Sequence, residues 1–208
     1  MSCVRIKICG ITSVDDAVAT VNAGADALGL VFYAASPRAV SIEHARSIAL
    51  AAGPFVSVTG LFVDADPEFV RSVLTQVPLQ LLQFHGDEAV DYCESFQRPY
   101  MKAIRMRPEL DVNATIAAYA SASGILLDAY RPGVPGGTGE TFDWARVPQN
   151  ISTPLVLAGG LTPDNVAQAI AATRVYGVDV SGGVESAPGK KDHSKLTAFI
   201  NNARRCTA

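Results

Sequence analysis

The sequence lacks several features that mark common classes of protein. No apolar run in its 208 residues approaches the roughly 18 residues that a membrane-spanning helix needs. The N-terminal segment is a strand pattern that contains charges, which is not typical of a signal peptide. The formal net charge is only −3, so no basic excess indicates nucleic acid, and no basic amphipathic stretch indicates a membrane surface. We therefore expect a protein that binds neither nucleic acid nor membrane.

Cysteine and histidine are too sparse and too scattered to indicate a disulfide framework or a metal site. The 4 cysteines form no CxxC pair, and the 3 histidines show no ligand spacing. Scattered cysteines fit free thiols in a reducing compartment, so we expect a cytoplasmic location. Neither a GxGxxG nor a Walker pattern occurs, so nothing in the sequence calls for a dinucleotide, a nucleotide or a metal.

The sequence contains a regular alternation of strand-like and helix-like segments. Hydrophobic residues make up 49% of the chain, which is enough for a sizeable core. The predicted strands are Ile6–Cys9, Ala27–Phe32, Ser57–Phe62, Leu79–Phe84, Met101–Ile104, Ile125–Asp128, Leu155–Leu157 and Tyr176–Val180. The predicted helices begin near Ser13, Ser41, Pro67, Glu88, Asn113, Phe142, Pro163 and Ser194.

This alternation predicts the fold. Uniformly apolar strands are typical of a parallel sheet that is covered on both faces, and no linker-like stretch divides the chain. We therefore predict an α/β fold, a single (β/α)8 TIM barrel, in one domain that spans residues 1–208. The longest irregular segment, Arg131–Thr141, follows the sixth strand, where we predict a functional loop.

Polar residues at the predicted strand ends indicate where a site lies. Side chains alternate between the two faces of a strand, so apolar positions on the first strand face the helices and leave Lys7 and Cys9 facing the barrel interior. Burying unpaired polar groups is costly, so their clustering predicts a polar site at the C-terminal ends of the strands. The other polar residues that alternation places inside are Gln83, His85, Asp128, Asp179 and Ser181.

Glycine pairs follow the last two predicted strands. Gly159 and Gly160 follow the seventh strand, and Gly182 and Gly183 follow Ser181 at the end of the eighth. Tight turns alone would account for one such pair, but barrel enzymes often bind phosphate in these two loops through backbone N–H groups. Two pairs therefore predict that the ligand is a phosphorylated small molecule.

Cys9 and Asp128 are candidates for a base and an acid, since each ends a predicted strand. A free cysteine is also commonly a small buried hydrophobe, so its position alone leaves catalysis open. Arg38 lies in the loop after the second strand, where its guanidinium would overhang the barrel mouth and could grip a carboxylate bidentately. Lys7 needs an anionic partner inside the barrel. We predict that this partner is Asp179, with Asp128 as the alternative, and that Lys7 favours the thiolate of Cys9.

Several stretches together resemble the phosphoribosylanthranilate isomerase family. Two departures from the family pattern are Phe84, where leucine is common, and Gly182, where a second serine is common. The matching stretches occur in order and cover essentially the whole chain: K-I-C-G-I at Lys7–Ile11, S-P-R at Ser36–Arg38, G-L-F-V at Gly60–Val63, Q-F-H-G-D-E at Gln83–Glu88, L-L-D at Leu126–Asp128, G-G-T-G-E-T-F-D-W at Gly136–Trp144, L-A-G-G-L-T-P-D-N-V at Leu157–Val166, V-D-V-S-G-G-V-E at Val178–Glu185 and P-G-K-K-D at Pro188–Asp192.

The resemblance implies an activity and a role for individual residues. The reaction would be the Amadori rearrangement of N-(5′-phosphoribosyl)anthranilate to 1-(2-carboxyphenylamino)-1-deoxyribulose 5-phosphate, the third step of tryptophan biosynthesis from chorismate. Cys9 would be the general base, Asp128 the general acid, and Arg38 the residue that holds the anthranilate carboxylate. The substrate-binding set would add Gln83, His85 and Asp179, and the phosphate-binding set would be Gly159, Gly160, Ser181, Gly182 and Gly183. An iminium intermediate would act as the electron sink, so we expect no cofactor, and we expect a monomer or a homodimer.

Two alternatives stay open at this point. Another phosphosugar barrel enzyme is one: the histidine-pathway aminoaldose isomerase has an aspartate base where this chain has Cys9, and indole-glycerol-phosphate synthase relies on a lysine acid, for which Lys7 is a poor candidate. A non-catalytic protein that binds a phosphorylated ligand is the other. Such a protein would keep the glycine loops but would not need both Cys9 and Asp128.

Overall fold

Eight parallel strands form a closed barrel in the computed structural model, which describes residues 4–129, 142–149 and 151–205. Each strand pairs with its neighbours in sequence, and β8 closes the ring against β1 with Asp179 aligned to Lys7. The predicted (β/α)8 TIM barrel is confirmed. The strands are β1 (Arg5–Cys9), β2 (Ala27–Val31), β3 (Ser57–Phe62), β4 (Leu81–Phe84), β5 (Tyr100–Arg105), β6 (Gly124–Asp128), β7 (Leu155–Leu157) and β8 (Gly177–Val180).

Helices cover the outside of the barrel and begin at recognisable capping residues. Ser13 accepts a hydrogen bond from the Asp16 backbone N–H, and Ser41 does the same for His44, which satisfies N–H groups that lack a partner in the first turn. No helix in the described ranges is both long enough and apolar enough to cross a membrane. The helices are α1 (Val14–Asn22), α2 (Ile42–Ala51), α3 (Pro67–Gln76), α4 (Val90–Glu94), α5 (Val112–Ala118), α6 (Val166–Thr173) and α7 (His193–Arg205).

The helix predicted to begin near Phe142 is wrong. Residues Trp144–Arg146 form only one turn of 3-10 helix, which the Asp143 side chain caps. Pro148 follows closely, and the residue before a proline avoids the helical conformation, so Val147 is extended with φ −70° and ψ 119°. The loop predicted at Arg131–Thr141 lies outside the described residues, and a single domain over residues 1–208 stays a prediction.

The main hydrophobic core lies between the barrel and the helices, as the alternation of side chains requires. Ile6 and Ile8 on β1 are fully buried in this core. Phe84 on β4, fully buried, stacks against Phe96 at 5.7 Å and meets the edge of Tyr92 at 5.5 Å between ring centroids. Burial of such a side chain contributes about 1.5–3 kcal/mol, so the phenylalanine at this position is a packing residue of the outer core.

A short hairpin between β8 and α7 was not predicted. Its strands, β9 (Glu185–Ala187) and β10 (Lys190–Lys191), pair antiparallel. Gly189 in the turn has φ +80°, a conformation that L side chains rarely adopt. The hairpin is anchored to the barrel by Lys191, whose ammonium donates to the carbonyl oxygen of Cys9 at 2.7 Å.

Candidate active site

A cavity of about 430 Å³ opens at the C-terminal ends of the barrel strands. Its wall is completed by apolar side chains, among them Val31, Leu61 and Val63. The strand ends and the loops that follow them thus bring together every candidate that sequence reasoning selected. Those residues are Cys9, Arg38, Gln83, His85, Asp128, Gly159, Gly160, Asp179, Ser181, Gly182 and Gly183.

Lys7 lies inside the barrel and pairs with Asp179, as predicted. The Lys7 Nζ donates to Asp179 Oδ1 at 3.0 Å, and both residues are buried. The contact follows from the register, because β8 pairs with β1 at these two positions. Burial is the largest single effect and would lower the pKa of Lys7, but Asp179 and Cys9 together outweigh it, and the pKa is raised. Lys7 is therefore an ammonium that is held beside the cavity floor.

The Cys9 thiol points into the cavity from the end of β1 and is 6% exposed. Burial raises the pKa of Cys9, because the thiolate loses solvation, and the ammonium of Lys7 acts in the opposite direction. Lys7 thus favours the thiolate as predicted, but burial has the larger effect. Gly29 lies opposite Cys9 in the register of β1 and β2, and a Cβ there would lie 2.7 Å from the Cys9 Sγ. A glycine at this position leaves room for the thiol.

Asp128, at the end of β6, belongs to a chain of three polar side chains. The Gln83 Nε2 lies 3.1 Å from the His85 Nδ1, and the His85 Nε2 lies 3.1 Å from the Asp128 Oδ2. If the Gln83 amide donates to Nδ1, the neutral ring carries its hydrogen on Nε2 and donates it to Asp128. Arg105 supports this arrangement, since its Nη2 donates to the His85 carbonyl oxygen at 3.0 Å. These hydrogen bonds orient Oδ2 of Asp128. The second carboxylate oxygen, Oδ1, is not engaged by His85.

Only glycine fits at two positions in the loops after β7 and β8. Gly159 has φ +82°, and a Cβ there would collide with the backbone nitrogen of Ala129. A Cβ at Gly183 would collide with the carbonyl oxygen of Leu161. The buried Ser181 Oγ has no hydrogen-bond partner within the part of the chain that the structure describes. A buried hydroxyl without a partner is costly, which makes this oxygen a candidate contact for a polar ligand.

Arg38 lines the cavity, but one edge of its guanidinium is already engaged by a residue that sequence reasoning missed. Its Nε and Nη2 donate to the two carboxylate oxygens of Glu185 at 2.8 and 2.7 Å. Lys191 donates to the same carboxylate at 2.8 Å. Glu185 and Lys191 belong to two stretches that resemble the family, V-D-V-S-G-G-V-E and P-G-K-K-D. Both residues lie in the hairpin that follows β8. The alternation of side chains along the barrel strands does not predict how side chains are oriented in this hairpin. The sequence therefore gave no reason to expect a contact between these two residues and Arg38.

Comparison with known proteins assigns the chain to a family. The sequence model of N-(5′-phosphoribosyl)anthranilate (PRA) isomerase matches residues 6–202. The chain belongs to this family. It is 74% identical over 208 residues to the N-(5′-phosphoribosyl)anthranilate isomerase of Cellvibrio japonicus, and the match covers 100% of this chain and 97% of that protein. The match to this family therefore extends over the whole length of the chain.

Solved structures of the family have the same fold. The phosphoribosylanthranilate isomerase of Thermotoga maritima is 42% identical, with a TM-score of 0.89, and the match covers 97% of this chain and 99% of that one. A second isomerase structure, solved with reduced 1-(o-carboxyphenylamino)-1-deoxyribulose 5-phosphate, is 40% identical, with a TM-score of 0.84 and the same coverage. The chain is accordingly an enzyme, an isomerase of tryptophan biosynthesis. Family membership favours this activity over the two alternatives considered above.

Proposed function

We propose that the protein converts N-(5′-phosphoribosyl)anthranilate to 1-(2-carboxyphenylamino)-1-deoxyribulose 5-phosphate by an Amadori rearrangement. The observation that carries this proposal is that one cavity holds a thiol, Cys9, and a carboxyl, Asp128, together with the glycine loops after β7 and β8. An aminoaldose-to-aminoketose isomerisation needs one group that gives a proton and one that removes a proton. It also needs a grip on the phosphate that keeps the open-chain sugar in place.

Asp128 is the proposed general acid. Ring opening of the aminoaldose requires a proton on the furanose oxygen, and this step leaves an iminium between the anthranilate nitrogen and C1′ of the sugar. His85 occupies the Asp128 Oδ2, so Oδ1 is the oxygen that would deliver the proton. Gln83 and His85 line the cavity as well as orienting Asp128, which supports their predicted place beside the substrate.

Cys9 is the proposed general base. The iminium makes the C2′ proton acidic, and the thiolate removes it to give an enolamine. The enolamine becomes the ketose when C1′ gains a proton and the C2′ hydroxyl loses one, so the overall reaction consumes no proton. Because burial raises the pKa of Cys9, the nearby ammonium of Lys7 is needed to keep a reactive fraction of thiolate. Asp179 holds that ammonium and also faces the cavity.

The phosphate is proposed to bind in the loops after β7 and β8. Five residues form this subsite, namely Gly159, Gly160, Ser181, Gly182 and Gly183. The support is the unpartnered hydroxyl of Ser181 among the described residues and the close backbone approach that the glycines permit. Gly182 presents only its backbone, so a contact that a second serine would offer is absent here. Arg38 is proposed to hold the anthranilate carboxylate at the barrel mouth.

A steady-state assay with purified phosphoribosylanthranilate tests the proposal. Cys9→Ala and Asp128→Asn should each lower kcat by on the order of 100-fold or more while the protein stays folded. Cys93→Ala is a matched control, because Cys93 is also a buried free cysteine but does not line the cavity, and burial raises its pKa to about 12. Near-normal turnover by either site variant would remove that residue from its role.

Three further expectations accompany the proposed function. We expect a phosphorylated small molecule as the only partner, a monomer or a homodimer, and a cytoplasmic enzyme that needs no added cofactor. Sedimentation at several protein concentrations would distinguish the two oligomeric states. Turnover by protein dialysed against a chelator would test the expectation about cofactors, and loss of activity that a metal restores would contradict it.

A further inference from the structure

The guanidinium of Arg38 is held along one edge by a buried carboxylate. Its Nε and Nη2 donate to the two oxygens of Glu185 at 2.8 and 2.7 Å, and the Glu185 side chain is 5% exposed. Two parallel hydrogen bonds of this kind fix the plane of the guanidinium as well as its position. The adjacent edge, formed by Nη1 and the second hydrogen of Nη2, is not used by these two hydrogen bonds. Since Arg38 lines the cavity, this edge is available for a ligand.

Lys191 fastens the same carboxylate to the barrel. Its side chain is fully buried, and Nζ donates to Glu185 Oε1 at 2.8 Å, to the Cys9 carbonyl oxygen at 2.7 Å and to the Ser181 carbonyl oxygen at 3.3 Å. Backbone carbonyl oxygens at the ends of β1 and β8 hold the Lys191 ammonium in place. The ammonium in turn fixes the Glu185 carboxylate, and the carboxylate fixes the Arg38 guanidinium. Each link is a short contact between described side chains or backbone atoms.

The charges of this cluster favour an anion in the cavity. Burial opposes ionisation of Glu185, but the hydrogen bonds from Arg38 and Lys191 outweigh it, and the pKa of Glu185 is lowered. Burial lowers the pKa of Lys191, and the Glu185 carboxylate opposes this change. With Lys191 protonated, Glu185 is a carboxylate between two cations. A pair of Arg38 and Glu185 alone would carry no net charge, whereas the second cation leaves the cluster with a net positive charge. This excess charge lies beside the mouth of the cavity, where the proposed substrate would place its own carboxylate.

We propose that Glu185 and Lys191 are positioning residues, which set the orientation of Arg38 and thereby the specificity for a substrate that carries a carboxylate. The inference rests on the proposed function, and it adds two residues to the site. A guanidinium that is already fixed loses less conformational freedom when the ligand binds, so orientation by Glu185 increases affinity for the carboxylate-bearing end alone. The proposed phosphate subsite meets this cluster only where Lys191 donates to the Ser181 carbonyl oxygen, so a change at Glu185 should affect the phosphate end less than the carboxylate end.

Calorimetric binding of two ligands tests the inference. One is the ketose product, and the other is its analogue with an unsubstituted phenyl ring, which lacks the carboxylate. Glu185→Gln should weaken binding of the product about tenfold, which corresponds to about 1.4 kcal/mol, and should leave the analogue within about twofold. Lys191→Met should also weaken binding of the product, with a smaller loss for the analogue because Lys191 contacts the Ser181 carbonyl oxygen. Glu185→Asp should restore part of the loss seen in Glu185→Gln. In an Arg38→Met background, Glu185→Gln should cause no further loss, because the residue through which it acts is gone.

Asp26→Asn is the control variant. It removes a carboxylate that forms ion pairs, as Glu185→Gln does, but it lies outside the cluster of Arg38, Glu185 and Lys191. Asp26 accepts from Arg204 and Arg5 and lies outside the cavity, so its substitution should change the affinity of neither ligand. Equal losses for both ligands in Glu185→Gln would show a merely structural role and overturn the inference, as would unchanged affinity for the product. If Glu185→Gln does not fold, Glu185→Asp carries the same comparison. Wild-type protein that binds neither ligand would overturn the proposed function itself.

Discussion

Gly29 offers a way to test the role of Cys9 without removing the thiol. In the register of β1 and β2 it lies opposite Cys9, and a Cβ at this position would lie 2.7 Å from the Cys9 Sγ and 3.1 Å from the Lys7 Nζ. Its φ is outside the left-handed region, so alanine can adopt the local backbone conformation, and its Cβ would also lie 3.0 Å from the Cys9 Cα. Gly29→Ala therefore displaces the proposed base while keeping its thiol, and it also crowds the ammonium of Lys7.

The size of the effect follows from the geometry. Ordinary van der Waals contact begins at 3.4 Å, so the sulfur has to move by about 0.7 Å from its place. A misplacement of about 1 Å costs on the order of 100-fold in rate, and crowding of a packed interior costs about 1–3 kcal/mol of stability. We expect Gly29→Ala to lower kcat between tenfold and about 100-fold, with a smaller change in KM. Steady-state kinetics with purified substrate and a thermal melt measure both quantities.

Gly124→Ala is the matched control for crowding. Gly124 begins β6, does not line the cavity, and would place its Cβ 3.1 Å from the Pro154 carbonyl oxygen. This variant should lose stability to a similar degree and keep its kcat. If Gly29→Ala melts as low as Gly124→Ala but turns over at the wild-type rate, the position of the Cys9 thiol does not limit the reaction and the reasoning fails.

Two further predictions concern single side chains. Because a base must be ionised and burial raises the pKa of Cys9, kcat/KM should rise with pH through the neutral range, and Lys7→Met should move this rise to higher pH. If the pKa of Cys9 increases by one in this variant, activity at neutral pH falls about tenfold, and a pH profile that matches the wild type would contradict the tuning by Lys7. Ser181→Ala should weaken binding of the phosphorylated product severalfold without lowering the melting temperature, because the buried hydroxyl has no protein partner among the described residues. Unchanged affinity would remove Ser181 from the phosphate subsite.

Residues on the strands could be placed from the sequence because a barrel strand has only two faces. Once Ile6 and Ile8 are assigned to the helix-covered face, Lys7 and Cys9 must point inward, and the structure confirms this. The pairing of Lys7 with Asp179 follows in the same way, since the eighth strand must lie beside the first in a closed ring. Periodicity, closure and the cost of burying a charge favoured Asp179 over Asp128, and the structure confirms the pairing with Asp179.

Residues beyond the strands could not be placed in this way. Glu185 and Lys191 lie in a hairpin whose direction depends on a turn at Gly189, and no periodic pattern records where such a turn sends its side chains. The helix predicted near Phe142 failed for a related reason, because a nearby proline restricts the residue before it and outweighs a weak helical pattern. The sequence shows that Arg38 is in a loop at the barrel mouth, but its alignment by Glu185 is a tertiary contact.

The two buried ion clusters of the site differ in net charge, and this difference separates their roles. Lys7 and Asp179 form a neutral pair, so their opposite effects on Cys9 partly cancel and burial still raises its pKa. The pair bridges β1 and β8, where the barrel closes, and removing one partner of such a buried pair costs about 3–5 kcal/mol. The pair therefore stabilises the closure of the barrel in addition to its effect on Cys9. The cluster of Arg38, Glu185 and Lys191 keeps a net positive charge, so it is the one that can attract a substrate anion.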